Sequence, residues 1–198
     1  MSISREFYTI AGRVLIKHKC VPSLQVVRVS PSDVGPLVEW TGGTAPESTI
    51  EDGVTYRDGP AAQALLATIA RYLACRWRDG TPVPTRDWDA FLARRHPFVF
   101  QHPPCSGPGW SWLWQAGAER IEEAGLPPGF RTDNTKEKYG QMRWDYHANE
   151  GSDAFADIVE AVELVSAAVC EECGAPGMLR QGAWLKTLCT RHHEARTR

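Results

Sequence analysis

The stretch CEECGAPGMLRQGAWLKTLCTRHH, residues 170–193, decides how the C-terminal end of this chain folds. It contains two pairs of metal-ligating residue types, Cys170 with Cys173 and Cys189 with His192, and two residues separate the members of each pair. This spacing lets a tight turn present both side chains of a pair to one ion, and two such turns joined by a hairpin complete a tetrahedron. The sequence therefore predicts a zinc ribbon or knuckle with these four ligands.

The residues between the two ligand pairs are typical of a short hairpin. Leu179 and residues 185–188 form its predicted arms, with the bend at residues 181–182. His193 directly follows His192 and is an alternative fourth ligand. His192 is the preferred ligand, because it repeats the two-residue spacing of the first pair.

The predicted metal is a structural Zn²⁺ rather than a catalytic one. Four protein ligands fill the tetrahedron and leave no position open for water or substrate. A closed site of this kind stabilises a segment that is too small to fold alone. A zinc deaminase would need a His-x-Glu motif upstream of the cysteines and a Pro-Cys-x-x-Cys motif, and this sequence has neither.

The net charge of the chain does not indicate a protein that binds nucleic acid over a wide surface. The formal net charge is −2, whereas proteins that bind nucleic acid over a wide surface usually carry a basic surplus. The charge is unevenly placed, since residues 150–173 hold seven acidic side chains and no Lys or Arg. Residues 174–198 hold five basic side chains and one acidic one. Ordinary solvated surface is the simpler interpretation of both segments.

The expected compartment is the cytoplasm. No stretch approaches the roughly 20 apolar residues of a membrane span, and residues 1–20 lack the apolar core of a signal peptide. Six cysteines in a cytoplasmic chain indicate metal ligands or free thiols before disulfides. Cys20, Cys75 and Cys105 are isolated, and each is predicted to be a buried small apolar residue rather than a nucleophile.

The N-terminal part is predicted to be β-rich with two helices. Short apolar runs between turn-forming residues predict strands at residues 14–16, 24–29 and 37–40. Residues 41–60 are predicted to be loops with a tight turn at Asp52-Gly53. Apolar residues at spacings of three and four then predict helices at residues 60–77 and 86–95.

The Pro-rich residues 96–109 mark a predicted boundary between two domains, residues 1–96 and residues 97–198. The second domain is predicted to contain, in order, a helix at residues 110–124, a half-buried strand at 141–146, an amphipathic helix at 153–169 and the zinc ribbon at 170–193. Trp112 lies off the apolar stripe of the first of these helices. The expected fold class is therefore α+β.

KEKYGQMRW, residues 136–144, and the stretch from Cys170 to His193 resemble a group of small, uncharacterised zinc-ribbon proteins of bacteriophages and prophages. The resemblance covers about residues 98–198, and CSGPGW at residues 105–110 is similar to a Cys-Gly-Asp-Gly-Trp-like segment of that group. The chain departs from the group at Ala183, where Gly is usual, and at His193, where Ala is commoner. The resemblance implies mobile-element origin and zinc, and it implies no reaction.

The leading functional hypothesis is a non-enzymatic zinc-binding phage protein. Its expected partner is a host protein or ribonucleoprotein complex, which it would bind as a counter-defence inhibitor of the anti-CRISPR kind. The acidic helix face with Asp157, Glu160 and Glu163 would then imitate nucleic-acid phosphates.

Two other hypotheses stay open. The first is direct binding of nucleic acid through the basic residues of the last segment, with His193 as a further contact: Lys186, Arg191, Arg196 and Arg198. The second is an enzyme with a site around His102, Asp145 and His147.

The residues around the turn of KEKYGQMRW allow two interpretations. Lys136, Glu137, Lys138 and Arg143 can form a small corner that binds an anion or a partner. Alternatively, Glu137 pairs with a neighbouring Lys on a solvated turn, and Tyr139 packs inward.

Overall fold

The computed structural model describes residues 2–16, 21–43, 48–51, 54–57 and 59–196. Within these residues the chain forms six α-helices: α1 (Ile3–Val14), α2 (Ala62–Trp77), α3 (Trp88–Arg95), α4 (Ser111–Ala124), α5 (Asp153–Ser166) and α6 (Thr190–Arg196). Its strands form four antiparallel pairs: β1 (Gln25–Ser30) with β2 (Leu37–Thr41), β3 (Ser48–Glu51) with β4 (Val54–Arg57), β5 (Arg131–Lys138) with β6 (Gln141–His147), and β7 (Met178–Arg180) with β8 (Lys186–Leu188). The predicted α+β class is confirmed.

The core is built around α2, whose predicted apolar stripe is buried. Leu66, Ile69 and Leu73 have no exposed surface. This helix packs against α4 and α5, and it also contacts α1 and β2. Because each large apolar side chain contributes about 1.5–3 kcal/mol when it is fully buried, α2 is a main source of hydrophobic stabilisation.

An aromatic cluster fills the core where α4 meets β6. The ring of Trp144 stacks on Phe100 at a centroid distance of 5.3 Å and meets Trp114 edge-on at 5.1 Å. Gly117 permits this approach, because a Cβ atom there would lie 2.8 Å from both Trp144 and Val162. The packing confirms the half-buried strand predicted for residues 141–146, which is β6.

The first apolar run, residues 14–16, lies at the end of α1 and is not a strand, which corrects the prediction. Ser2 caps this helix by accepting a hydrogen bond from the Arg5 N–H group. Phe7 and Ile10 are buried at helical spacing. The helical spacing of apolar residues over residues 3–14 is thus a better guide to the structure than the short apolar run at the end of the segment. The other two runs are confirmed as β1 and β2.

A hairpin of β3 and β4 replaces the loops that were predicted for residues 41–60. The predicted tight turn at Asp52-Gly53 lies between the two strands, outside the described residues. The sequence also failed to predict β5, whose residues RTDNTKEK are polar and of which only Thr135 is buried. Backbone hydrogen bonds join the strands of an antiparallel pair, so the pairs β3–β4 and β5–β6 could form without the alternating apolar residues from which strands are predicted.

Residues on both sides of the predicted boundary at residues 96–97 share one buried cluster. Arg71 of α2 also forms an ion pair with Glu123 of α4, at 2.6 Å. The division into two domains stays a prediction. The contacts show that helices of the first segment cover helices of the second.

The isolated cysteines differ in their surroundings. Cys75 is buried, as predicted, and this burial raises the pKa of its thiol. Cys105 is exposed, so the prediction of a buried residue is wrong there. The cause is its place in the Pro-rich segment, which runs over the surface. Cys20 lies outside the described residues.

A buried ion pair joins α1 to α2. Glu6 Oε2 lies 2.5 Å from Arg76 Nη1, and the two side chains are 4% and 5% exposed. The indole Nε1 of Trp77 donates a second hydrogen bond to the same carboxylate, at 3.1 Å. The guanidinium carbon of Arg76 also lies 5.8 Å from the centroid of the Trp112 ring, which accounts for the position of this Trp off the main stripe.

We expect Glu6→Gln to lower the free energy of unfolding by about 3–5 kcal/mol, because it leaves the Arg76 charge buried without a counter-ion. Denaturant unfolding measures the change. The matched control is Glu39→Gln, which breaks the exposed pair with Arg28 and should leave the unfolding midpoint unchanged. Equal losses in the two variants would contradict this account.

Candidate metal centre

The four predicted ligands lie together at the C-terminal end of the chain. The three Sγ atoms of Cys170, Cys173 and Cys189 and the Nδ1 atom of His192 all lie within 4.8 Å of one another. His192 Nδ1 is 3.4 Å from the sulfur of Cys170 and 3.5 Å from that of Cys189. A tetrahedral Zn²⁺, with bonds of about 2.3 Å to sulfur and about 2.0 Å to nitrogen, keeps its ligand atoms about 3.5–3.8 Å apart. The four residues can therefore hold a metal ion such as zinc.

The first ligand pair sits in a tight turn that follows α5. The Cys170 N–H group donates to the Ala175 carbonyl, and the Gly174 N–H group donates to the Cys170 carbonyl, both at 2.8 Å. Gly174 has a φ angle of +69°, in the left-handed region that glycine adopts without strain. These bonds close the turn and place the sulfurs of Cys170 and Cys173 on one side of it.

The second ligand pair lies where β8 passes into α6. The His193 N–H group donates to the Cys189 carbonyl at 3.0 Å, which closes the first turn of the helix. This turn directs the imidazole of His192 towards the sulfurs. Among the described residues, the cluster includes His192 and not His193.

The environment of the sulfurs favours a negative charge. A hydrogen bond from the Cys173 thiol, together with the backbone N–H groups of Cys189 and Glu172, lowers the pKa of Cys170 to about 4. The same thiol contact raises the pKa of Cys173. A bound cation would favour the thiolate form of all three cysteines, because metal ligation displaces the thiol protons.

The segment before α4 packs against the first turn, residues 170–177, which we call the knuckle. The Gly109 N–H group donates to the Glu171 carbonyl, and the indole of Trp110 donates to the Val169 carbonyl, both at 2.7 Å. A Cβ atom on Gly109 would lie 2.3 Å from the Cys170 carbonyl oxygen. The resemblance marked residues 105–110, but sequence reasoning missed that they touch the site.

Helices of the first segment also hold the knuckle. The Tyr72 hydroxyl of α2 donates to the Gly174 carbonyl, and the Arg13 guanidinium of α1 donates to the Gly177 carbonyl. The ring of Trp112 lies against Gly174, since a Cβ atom there would be 2.8 Å from it. No pattern in the sequence predicted these contacts, because they join residues far apart in the chain.

Two of the predicted nucleic-acid contacts are engaged within the molecule. Lys186 pairs with Glu171, a carboxylate that is only 1% exposed. Arg196 pairs with Glu172 at 2.8 Å. The acidic partners lie between the two cysteines of the knuckle, so these ion pairs connect the second ligand pair to the first.

The remaining residues of the predicted basic patch differ in exposure. Arg191 is exposed, and its Nη2 atom lies 3.2 Å from Nε2 of His192. His193 is half-buried in the first turn of α6. Arg198 lies outside the described residues.

The predicted acidic face of α5 is also partly engaged within the fold. Asp157 accepts a hydrogen bond from the Ala61 N–H group at 3.3 Å, near the start of α2. Glu163 accepts one from the Trp144 N–H group at 2.7 Å, and burial raises the pKa of this carboxyl. Of the three predicted residues only Glu160 is exposed.

The three residues considered for acid–base chemistry are all exposed. Asp145 forms an ion pair with Lys136 at 3.2 Å. Within the described parts of the chain, no hydrogen bond or ion pair joins His102, Asp145 and His147 to one another.

Polar groups of the corner at residues 136–143 have hydrogen-bond or ion-pair partners within the fold. Glu137 accepts a hydrogen bond from the Gly140 N–H group at 2.6 Å, and Arg143 lies 3.5 Å from Glu163. Tyr139 is 69% exposed, so the interpretation in which it packs inward is wrong. Its φ angle is +54°, in the left-handed region, at the tip of the β5–β6 hairpin.

Comparison with protein-family models, curated proteins and solved structures gives no significant match for this chain. Among the described residues, no helix has both the length and the apolar character needed to cross a membrane.

We expect Cys173→Ala to abolish stoichiometric zinc binding and to lower the melting temperature, because the three remaining ligands no longer complete the tetrahedron that would hold the knuckle. Metal analysis and thermal unfolding test this, and chelation of the wild-type protein should have the same effect. The control is Cys105→Ala, an exposed cysteine outside the cluster, which should keep its metal and its stability. A metal-free protein as stable as the wild type would contradict the prediction.

We expect Gly109→Ala to destabilise the protein by about 1–3 kcal/mol, because the added methyl group overlaps the backbone of the knuckle. Zinc affinity should fall with it. Gly12→Ala is the matched control, since its Cβ atom meets nothing within 4 Å and Ala favours the helix by up to about 1 kcal/mol. If both variants retained wild-type stability, the contact between residues 107–110 and the knuckle would not be important.

Proposed function

We propose that this chain is a non-enzymatic binding protein of phage or mobile-element origin, stabilised by a structural Zn²⁺ ion. It acts in the bacterial cytoplasm on a host protein or ribonucleoprotein complex. Bound at Cys170, Cys173, Cys189 and His192, the zinc ion would supply a rigid base for the β7–β8 hairpin. Four protein ligands leave it no position for a substrate.

The observation that carries the binding role is the exposure of Trp184. This residue lies beyond the bend of the β7–β8 hairpin and is 83% exposed, the highest value for a large apolar side chain in the described parts of the chain. Trp is among the residue types most enriched in the energetic centres of interfaces. A Trp held out to solvent on a metal-anchored hairpin is therefore well suited to a binding surface.

Counter-defence inhibition is the biological role that this proposal favours. An inhibitor of a nucleic-acid-guided complex can act by occupying the path of the nucleic acid, either with imitated phosphates or through the nucleic acid itself. Glu160 is the exposed acidic side chain among the three predicted residues of the α5 face, whereas Asp157 contacts Ala61, just before α2, and Glu163 contacts β6.

We expect the tagged full-length chain to retain a stoichiometric host complex from bacterial lysate, and this complex should survive nuclease. Mass spectrometry identifies the retained proteins. Cys173→Ala should lose them, because the hairpin loses its anchor, and Cys105→Ala should retain them. Retention of nucleic acid alone, lost after nuclease treatment, would favour the alternative of a direct nucleic-acid binder. An empty pull-down would contradict the proposal.

Charge reversal at one exposed position tests phosphate imitation without disturbing the fold. Glu160→Lys should weaken retention of the host complex, while Asp79→Lys, an exposed acid after the end of α2, should not. Unchanged retention in Glu160→Lys would exclude the α5 face from the interface. Asp157 and Glu163 are unsuitable for this test, because their substitution would also disturb contacts within the fold.

A further inference from the structure

The three cysteines of the candidate metal centre differ in their exposure to solvent. Cys170 has no exposed surface, whereas Cys173 and Cys189 are half-buried. The sulfurs of Cys173 and Cys189 lie 3.9 Å apart. A disulfide bond is about 2.05 Å long, so these two sulfurs would have to approach each other by about 2 Å to form one. The two cysteines with exposed surface are therefore also close neighbours.

The backbone around Cys170 is fixed by its surroundings. Its N–H group donates to the Ala175 carbonyl, and its carbonyl accepts a hydrogen bond from the Gly174 N–H group, both at 2.8 Å. Gly109 packs so closely that a Cβ atom there would lie 2.3 Å from the same carbonyl oxygen. Cys170 therefore cannot shift without disturbing the contacts that hold the knuckle.

Cys189 lies at a more adaptable position, directly before α6. All residues of α6 are exposed or half-buried, and the main contacts of this helix are with β8. Arg196 of α6 pairs with Glu172, the residue before Cys173, and both side chains are partly exposed. A small shift of α6 can therefore bring Cys189 towards Cys173 with little effect on the contacts of α2, α4 and α5.

We propose that the candidate metal centre is a redox-sensitive device, in which a peroxide joins Cys173 to Cys189 in a disulfide and the metal ion is released. Cys170 and His192 stay unmodified, and two ligands do not hold a tetrahedral zinc ion. The inference goes beyond the proposed function, because it gives the ribbon a second closed state that contains no metal. It does not depend on the identity of the partner.

Hydrogen peroxide is the oxidant of the proposed step. One thiolate sulfur attacks a peroxide oxygen, the O–O bond breaks, and the departing hydroxide takes up a proton to give water. The attacked cysteine is then a sulfenic acid. The second thiolate attacks the sulfur of this sulfenic acid, an S–S bond forms, and a second hydroxide leaves and is protonated to water. The two sulfurs thus lose two electrons, and the peroxide gains them.

The disulfide would join the same two segments that the metal ion joins. Cys173 belongs to the knuckle and Cys189 follows β8, so the new bond would close a ring that contains the β7–β8 hairpin. A cross-link of this kind restricts the unfolded chain and so favours the folded one. The oxidised, metal-free chain should therefore keep a closed ribbon, whereas the reduced, metal-free chain has neither the metal ion nor the cross-link.

Treatment of the zinc-loaded full-length chain with stoichiometric hydrogen peroxide tests the chemistry. A chromophoric chelator should detect zinc release in step with the loss of two of the six thiols, while an untreated sample keeps both. Digestion after Glu171 and Glu172 separates Cys170 from Cys173, so mass spectrometry can identify the linked pair. We expect Cys173 linked to Cys189. A disulfide that includes Cys170 or Cys105, or zinc release without any disulfide, would overturn the inference.

Thermal unfolding tests whether the disulfide closes the ribbon. The oxidised, metal-free chain should melt about 5–10 °C higher than the reduced, metal-free chain, and a dithiol reductant should abolish the difference. Cys189→Ala should melt at one temperature in both states, because it cannot form the bond, whereas Cys105→Ala should behave like the wild type. Equal melting temperatures of the oxidised and reduced wild-type chain, or the same difference in Cys189→Ala, would contradict the proposal.

Discussion

The backbone of the knuckle, residues 170–177, is the constraint on which the rest of the structure depends. Several carbonyl groups in and beside this turn point to the surrounding segments rather than to the sulfurs, and buried carbonyl groups need hydrogen-bond partners. Gly109, Trp110, Tyr72 and Arg13 supply those partners from three other segments. The knuckle therefore determines how α1, α2 and the segment before α4 meet the end of α5.

This constraint also explains why α1 and α2 contact the candidate metal centre, although no pattern in their sequence predicts these contacts. A ribbon of residues 170–193 has too small a core to be stable alone, and metal binding is one way to stabilise such a segment. Here the ribbon also rests on α2 through Tyr72 and on Trp112, whose ring lies near Arg76 of the buried ion pair. A metal ion bound by the four ligands would thus stabilise the same turn that the core already contacts.

Local patterns predicted the parts of the fold that depend on local chemistry. Ligand spacing predicted the four residues that lie together as a candidate metal centre, and apolar periodicity predicted α2, α4 and the strand β6. The sequence could not show that Lys186 meets Glu171 or that Glu163 meets the backbone of Trp144. A charge pattern shows which side chains carry charge, but folding decides which of them become partners.

Groups that lack partners after folding are therefore better guides to function than charged segments in the sequence. Lys186 and Glu163 stabilise the fold, whereas Trp184 remains exposed to solvent. This residue lies on a hairpin whose base leads into the metal ligands. Ordering a flexible loop on binding costs about 0.5–1.5 kcal/mol for each side chain that is immobilised, and an anchored hairpin avoids part of that cost. The metal ion can thus strengthen binding without touching the partner, because it fixes the base of the element that does.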